Sequence, residues 1–132
     1  AYQAELSALD DFIRAELAGL TSRSFISVHE AWTYFAARYD LEEAAVITDF
    51  PGQEPSAAWL AELLDLCRAH RVRVVSVEPQ LSGAIAGMIA GEIDGRVVLL
   101  DPLGGAGLSR RDSYINLMHY NTAVLKDALS KQ

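Results

Sequence analysis

A chain of 132 residues is long enough for one domain with a substantial core and too short for two ordinary ones. Apolar residues make up 51% and charged residues 22%, a balance that excludes a disordered chain. The formal net charge is -7 and no Lys/Arg run interrupts it. Pairs such as Arg71 with Arg73, or Arg110 with Arg111, are too few to follow a phosphate track, so nucleic acid is not an expected partner.

The first predicted element is an amphipathic helix over residues 2–20. Tyr2, Leu6, Leu9, Ile13, Leu17 and Leu20 recur at three- and four-residue steps, with Glu5, Asp10, Asp11 and Glu16 mostly between them. Gly19 and Thr21-Ser22 end it. The opening Ala1-Tyr2-Gln3 has no initiator Met and is read as the start of a mature or truncated piece, so a missing signal peptide says nothing about compartment. No apolar run reaches the roughly 20 residues of a membrane span.

Four repeats of strand then helix follow. The predicted strands are 25–28, 44–48, 72–77 and 97–100, and the predicted helices 30–39, 55–70, 81–92 and 113–129. Each strand is a short, mostly apolar run, as in strands covered on both faces. Pro55 suits a first helical turn, and Asp112 or Ser113 can cap the last helix. The alternation predicts an α/β fold: a four-stranded parallel sheet, right-handed crossovers and helices on both faces. Trp32, Tyr34, Phe35 and Trp59 are expected to pack on the sheet, and His70 and His119 to be solvated. The lone cysteine, Cys67, permits no internal disulfide and reads as an inert core thiol.

In a parallel sheet all strand C-termini share one edge, and ligands bind there. The residues just past the four strands are His29, Asp49, Glu78 and Asp101. One imidazole and three carboxylates on one edge suit a transition-metal ion. The same set suits acid–base catalysis, with a carboxylate orienting a histidine. Each residue also has a plain structural role open to it, as a cap for the following turn or helix. Signatures of common enzymes are missing: no G-x-S-x-G, no P-loop lysine, no H-E-x-x-H. The glycine-rich stretch Leu103-Gly104-Gly105-Ala106-Gly107 reads as turn chemistry.

Several of these stretches resemble one known family in the right order. His29-Glu30-Ala31-Trp32-Thr33-Tyr34-Phe35 through Tyr39-Asp40-Leu41 is similar to the "His-x-Ala-aromatic-x-Tyr-Phe…Tyr-Gly-Leu" stretch of the ZnuA/TroA-like solute-binding proteins of zinc and manganese ABC importers. Glu54-Pro55-Ser56, Val77-Glu78-Pro79-Gln80, Leu100-Asp101-Pro102-Leu103-Gly104, and Ser113-Tyr114 through Asn121 resemble that family's further motifs. The resemblance runs from about Tyr2 to Leu129. It implies one lobe of a two-lobed protein, with residues 1–20 as the linking helix and 21–132 as the C-terminal α/β lobe. His29 matches the family's third metal ligand and Asp101 its fourth, while the first two histidines, from the other lobe, are absent. Asp40 stands where a glycine is usual. Manganese-type members carry Glu at the third position, so His29 favours zinc, with manganese as the second choice. Glu78 and Asp49 are candidates to orient His29.

The resemblance therefore implies a metal-binding lobe of an extracytoplasmic importer subunit. Its partners would be the metal ion, the missing lobe and a membrane permease, with no catalysis. Two ligands should hold zinc weakly, and a face made to meet another lobe would favour dimers of the isolated piece. The alternative is a small metallo- or acid–base enzyme using His29 and Asp101. A third reading is an interaction module whose strand-end residues are only caps.

Overall fold

The computed structural model describes residues 1–48, 54–79 and 83–131. The chain order is α1 (Tyr2–Ala18), β1 (Ser24–His29), α2 (Thr33–Arg38), β2 (Glu42–Thr48), α3 (Ala57–His70), β3 (Val74–Val77), α4 (Ala84–Glu92), β4 (Arg96–Leu99) and α5 (Tyr114–Ser130). The four strands form one parallel sheet in the order β2-β1-β3-β4. This is the α/β architecture expected from the strand–helix rhythm.

Period-two alternation sends successive strand side chains to opposite faces, and each face has its own core. Phe25, Val74 and Leu100 pack with Leu9, Ile13 and Leu17 of α1, Ala36 of α2, and Leu125, Ala128 and Leu129 of α5. Ile26, Val28, Ile47, Val75 and Val77 pack with Leu63 and Cys67 of α3 and Ala86, Ile89 and Ala90 of α4. Burying each large aliphatic side chain contributes about 1.5–3 kcal/mol. Helix α1 is fixed against α5, and Lys126 Nζ donates to Glu16 Oε2 at 2.7 Å across that contact.

Local chemistry sets the element ends. Ser56 caps α3 and Ser113 caps α5, each side-chain oxygen accepting from the N–H three residues on, Trp59 and Asn116. Pro55 consequently lies just before the cap of α3, not in its first turn. The helix expected at Glu30 begins only at Thr33: the chain bends at Glu30, Ala31 and Trp32 are irregular, and Trp32 sinks into the core at 4% exposure. The same bend turns Tyr34 outward at 92% exposure, so its expected packing on the sheet is not realised. Trp59 is half-buried and donates its indole N–H to the Ile47 carbonyl at 2.8 Å. Asp40 has φ +57, a left-handed conformation that glycine accepts most easily and Asp tolerates. Its carbonyl accepts from Arg23, whose guanidinium also binds the Leu17, Leu20 and Tyr39 carbonyls and so ties the ends of α1 and α2 together. The expected helix start at Leu81 lies outside the described residues.

Candidate metal site

His29 is the last residue of β1 and Glu78 follows β3, the neighbouring strand. Both lie on the sheet face that carries Phe25 and Val74. Pairing Ser27 with Ser76 in register brings His29 and Glu78 side by side. Nδ1 of His29 stands 3.6 Å from Glu78 Oε1, and Glu78 is 7% exposed. That nitrogen is buried and has no hydrogen-bond partner among the described residues. The His29 side chain is 26% exposed, and none of that exposure is at Nδ1.

The column beneath the pair is polar. Ser76 donates to Ser27 Oγ at 2.9 Å, Ser27 donates to Glu43 Oε2 at 2.7 Å, and Thr33 donates to Glu43 Oε1 at 2.9 Å. Ser27 and Ser76 are 1% and 2% exposed, so their hydroxyls need these partners. Their position, two residues before His29 and Glu78 in otherwise apolar runs, was a readable signal that sequence reasoning passed over.

Asp101 follows β4 on the same edge and is 3% exposed. Strand β3 separates β4 from β1, so the backbones at Asp101 and His29 stand roughly 10 Å apart, two strand spacings. The Asp101 main chain is pinned from α5: its N–H donates to Asn121 Oδ1 at 2.9 Å and its carbonyl accepts from Asn121 Nδ2 at 2.8 Å. In the side chain, Oδ1 accepts from the N–H groups of Leu103 (3.0 Å) and Gly104 (2.9 Å), and Oδ2 accepts from Arg111 Nη1 at 2.8 Å. Burial alone would raise this carboxyl, but the two amides and the guanidinium outweigh it and hold Asp101 below the ordinary carboxylate value. Sequence reasoning did not foresee the part of Arg111, ten residues downstream.

The edge thus joins His29 to Glu78 and sets Asp101 two strands away. Asp49, the fourth strand-end candidate, lies outside the described residues. Among the described residues no group of three or more His, Cys, Asp or Glu could hold a metal ion. His70 and His119 are exposed as expected, and His119 lies against the Phe12 ring with centroids 4.3 Å apart. Cys67 is buried, and burial raises its thiol pKa. No helix among the described residues is long and apolar enough to cross a membrane.

An open parallel sheet that presents an imidazole and carboxylates at its carboxyl edge defines an α/β domain of the class whose ligands bind at that edge. Comparison with known proteins narrows that class. The family model described as zinc-uptake complex component A, periplasmic (ZnuA), matches residues 1–128. The high-affinity zinc uptake system protein ZnuA of Bacillus subtilis strain 168 is 34% identical over 131 residues, covering 97% of this chain and 41% of that protein. The zinc-binding lipoprotein AdcA of Streptococcus pneumoniae serotype 4 is 31% identical over 137 residues, covering all of this chain and 27% of that protein. A mutant structure of the laminin-binding adhesin Lmb of Streptococcus agalactiae superposes with a TM-score of 0.86 at 28% identity, covering 98% of this chain and 48% of that one. The chain belongs to the ZnuA family, and it spans less than half the length of these three relatives.

Proposed function

We propose that this chain is the C-terminal metal-binding lobe of an extracytoplasmic zinc-binding subunit of an ABC importer. In this reading residues 1–20 are the linking helix and 21–132 the lobe. His29 supplies a nitrogen ligand through Nε2, and Asp101 supplies an oxygen. The remaining ligands come from a preceding lobe, and the loaded protein hands its ion to a membrane permease. The cargo is zinc, consistent with the names of the ZnuA and AdcA relatives; imidazole at position 29 suits zinc better than manganese.

The observation that carries this reading is the His29 imidazole with its buried Nδ1 turned to Glu78. A metal-ligating histidine commonly has its second nitrogen held by a carboxylate, which fixes the tautomer and raises the basicity of the ligating nitrogen. Glu78 takes that orienting part, and Asp49, the residue that follows β2 in the sequence, is a second candidate for it. Catalysis by His29 with Asp101 is disfavoured by the engagement of both Asp101 oxygens, which leaves that carboxylate poorly placed to accept a proton. The protein captures and delivers without chemical change.

The test is zinc titration of the 132-residue chain by calorimetry, with His29→Ala and Asp101→Asn in parallel. Weak one-to-one binding abolished by either substitution is the expected result. Binding that both variants retain would overturn the assignment. The same reading expects self-association through the face meant for the other lobe, which light scattering would detect as dimers.

A further inference from the structure

Asp101 is the ligand whose geometry least resembles an open donor. A carboxylate offers about four lone-pair sites. The Leu103 and Gly104 amides take two on Oδ1, and Arg111 takes one on Oδ2. The remaining site belongs to a side chain only 4% exposed, beside a guanidinium that is itself 20% exposed. Zinc bonded to Oδ2 at about 2 Å would stand roughly 4 Å from the Arg111 nitrogen, where two cations repel.

The glycine-rich loop builds this arrangement. Gly104 has φ +61, and a Cβ there would stand 2.5 Å from the Arg111 carbonyl oxygen. That oxygen accepts from the Gly105 N–H at 3.0 Å, the Leu108 N–H reaches the Gly105 carbonyl at 3.1 Å, and the Arg111 N–H reaches the Leu108 carbonyl at 3.2 Å. The loop therefore folds back so that one end holds Oδ1 by its amides and the other delivers Arg111 to Oδ2. The Tyr120 ring lies beneath the guanidinium, 5.2 Å from centroid to Cζ, and offers the cation a surface when Oδ2 is withdrawn.

We propose that Arg111 is an internal rival of the cargo ion: it pairs with Asp101 Oδ2 and must be displaced for zinc to bind. The loop that seemed only turn chemistry positions this rival, and Arg111 sets the affinity of the site. The inference rests on the metal-lobe reading above. An arginine in this place keeps the buried carboxylate charged and aimed while no metal is present, and it weakens the grip on metal by the same contact.

The test is zinc titration of the whole 132-residue chain by calorimetry for the native chain, Arg111→Gln, Arg111→Lys and His29→Ala, with the His29 ring resonances followed in the three chains that keep the imidazole. Arg111→Gln should bind zinc about tenfold more tightly, in the range of couplings between close charge pairs, while its metal-free form unfolds at lower temperature. Arg111→Lys should stay near the native affinity. In the native chain the Arg111 guanidinium 15N signals should move at zinc saturation. Zinc binding in Arg111→Gln that is unchanged or weaker, or guanidinium signals that do not move, overturns the displacement and leaves Arg111 as a support for Asp101. Binding in which His29→Ala equals the native chain overturns the metal-lobe reading itself, and this inference with it.

Discussion

Replacing Asn121 with Ala strips two buried backbone groups of their partners at one stroke. Asn121 is fully buried on α5, and its amide both accepts from the Asp101 N–H and donates to the Asp101 carbonyl. Leaving a buried polar group unpaired costs about 1–3 kcal/mol. Partial hydration of the space left by the side chain offsets some of that, so a net loss of about 3 kcal/mol is expected. For a domain of this size each kcal/mol lowers the melting temperature by roughly 3–4 °C, so the variant should melt about 10 °C lower. Urea unfolding followed by circular dichroism at neutral pH gives the free energy directly, and an unchanged m-value would show that the native fold is retained. Asn121→Asp keeps the acceptor for the N–H but turns a charged oxygen toward the Asp101 carbonyl, so it should be at least as damaging. A loss below about 0.5 kcal/mol for Asn121→Ala, the range of an ordinary surface change, would refute the idea that this amide fastens the end of β4.

Other perturbations have equally definite outcomes. Arg38 and Tyr39 hydrogen-bond Asp10 and lower its carboxyl from 3.8 to about 2, and Asp101 is also held below its ordinary value. The unfolded chain therefore takes up these protons first: the stabilisation is complete above about pH 4 and is lost as pH falls through the folded values, so Asp10→Asn should flatten the decline in stability between about pH 4 and pH 2. Gly104→Ala should cost more than about 1 kcal/mol and disturb the amide signals of Leu103 and Gly104, because it meets both an unfavourable φ and the Arg111 carbonyl. Glu78→Gln should weaken zinc binding about 10–100-fold with little change in fold, measured by calorimetry beside a thermal melt. Cys67, 1% exposed with a raised pKa, should react with a thiol reagent only as fast as the protein unfolds.

The amount of this molecule legible in its sequence follows from the range of each interaction. Apolar periodicity is local, so the five helices and four strands among the described residues were readable, and parallel pairing follows from the strand–helix rhythm. His29, Glu78 and Asp101 could be placed on one edge because every strand of a parallel sheet ends on the same side. Strand order was not readable: nothing in the Phe25–Val28 or Val97–Leu100 runs says that β3 stands between β1 and β4. That order decides that His29 meets Glu78 and not Asp101. Helix α2 was expected three residues early, because helical spacing in Glu30-Ala31-Trp32 competes with the pull of Trp32 into the core, and the tertiary contact wins. The same contest misplaced Tyr34. The Arg111–Asp101 pair depends on a loop whose shape comes from its own hydrogen bonds and left-handed glycines, and a composition of Gly and Ala does not disclose what such a loop carries. The Asn121 clasp crosses twenty positions and carries no local pattern, although the residue itself falls within a motif that resembles the family's last helix.

The proposed zinc site joins Nε2 of His29 and a carboxylate oxygen of Asp101 at the rim of the sheet. It is tested most directly by long-range 1H–15N spectra of the histidine rings during a zinc titration. The chain has three histidines, so each ring can be assigned by its own substitution. Only the His29 Nε2 signal should move on adding zinc, its Nδ1 should keep its proton beside Glu78, and Asp101→Asn should suppress the change. A shift at His70 or His119 with His29 untouched would contradict it.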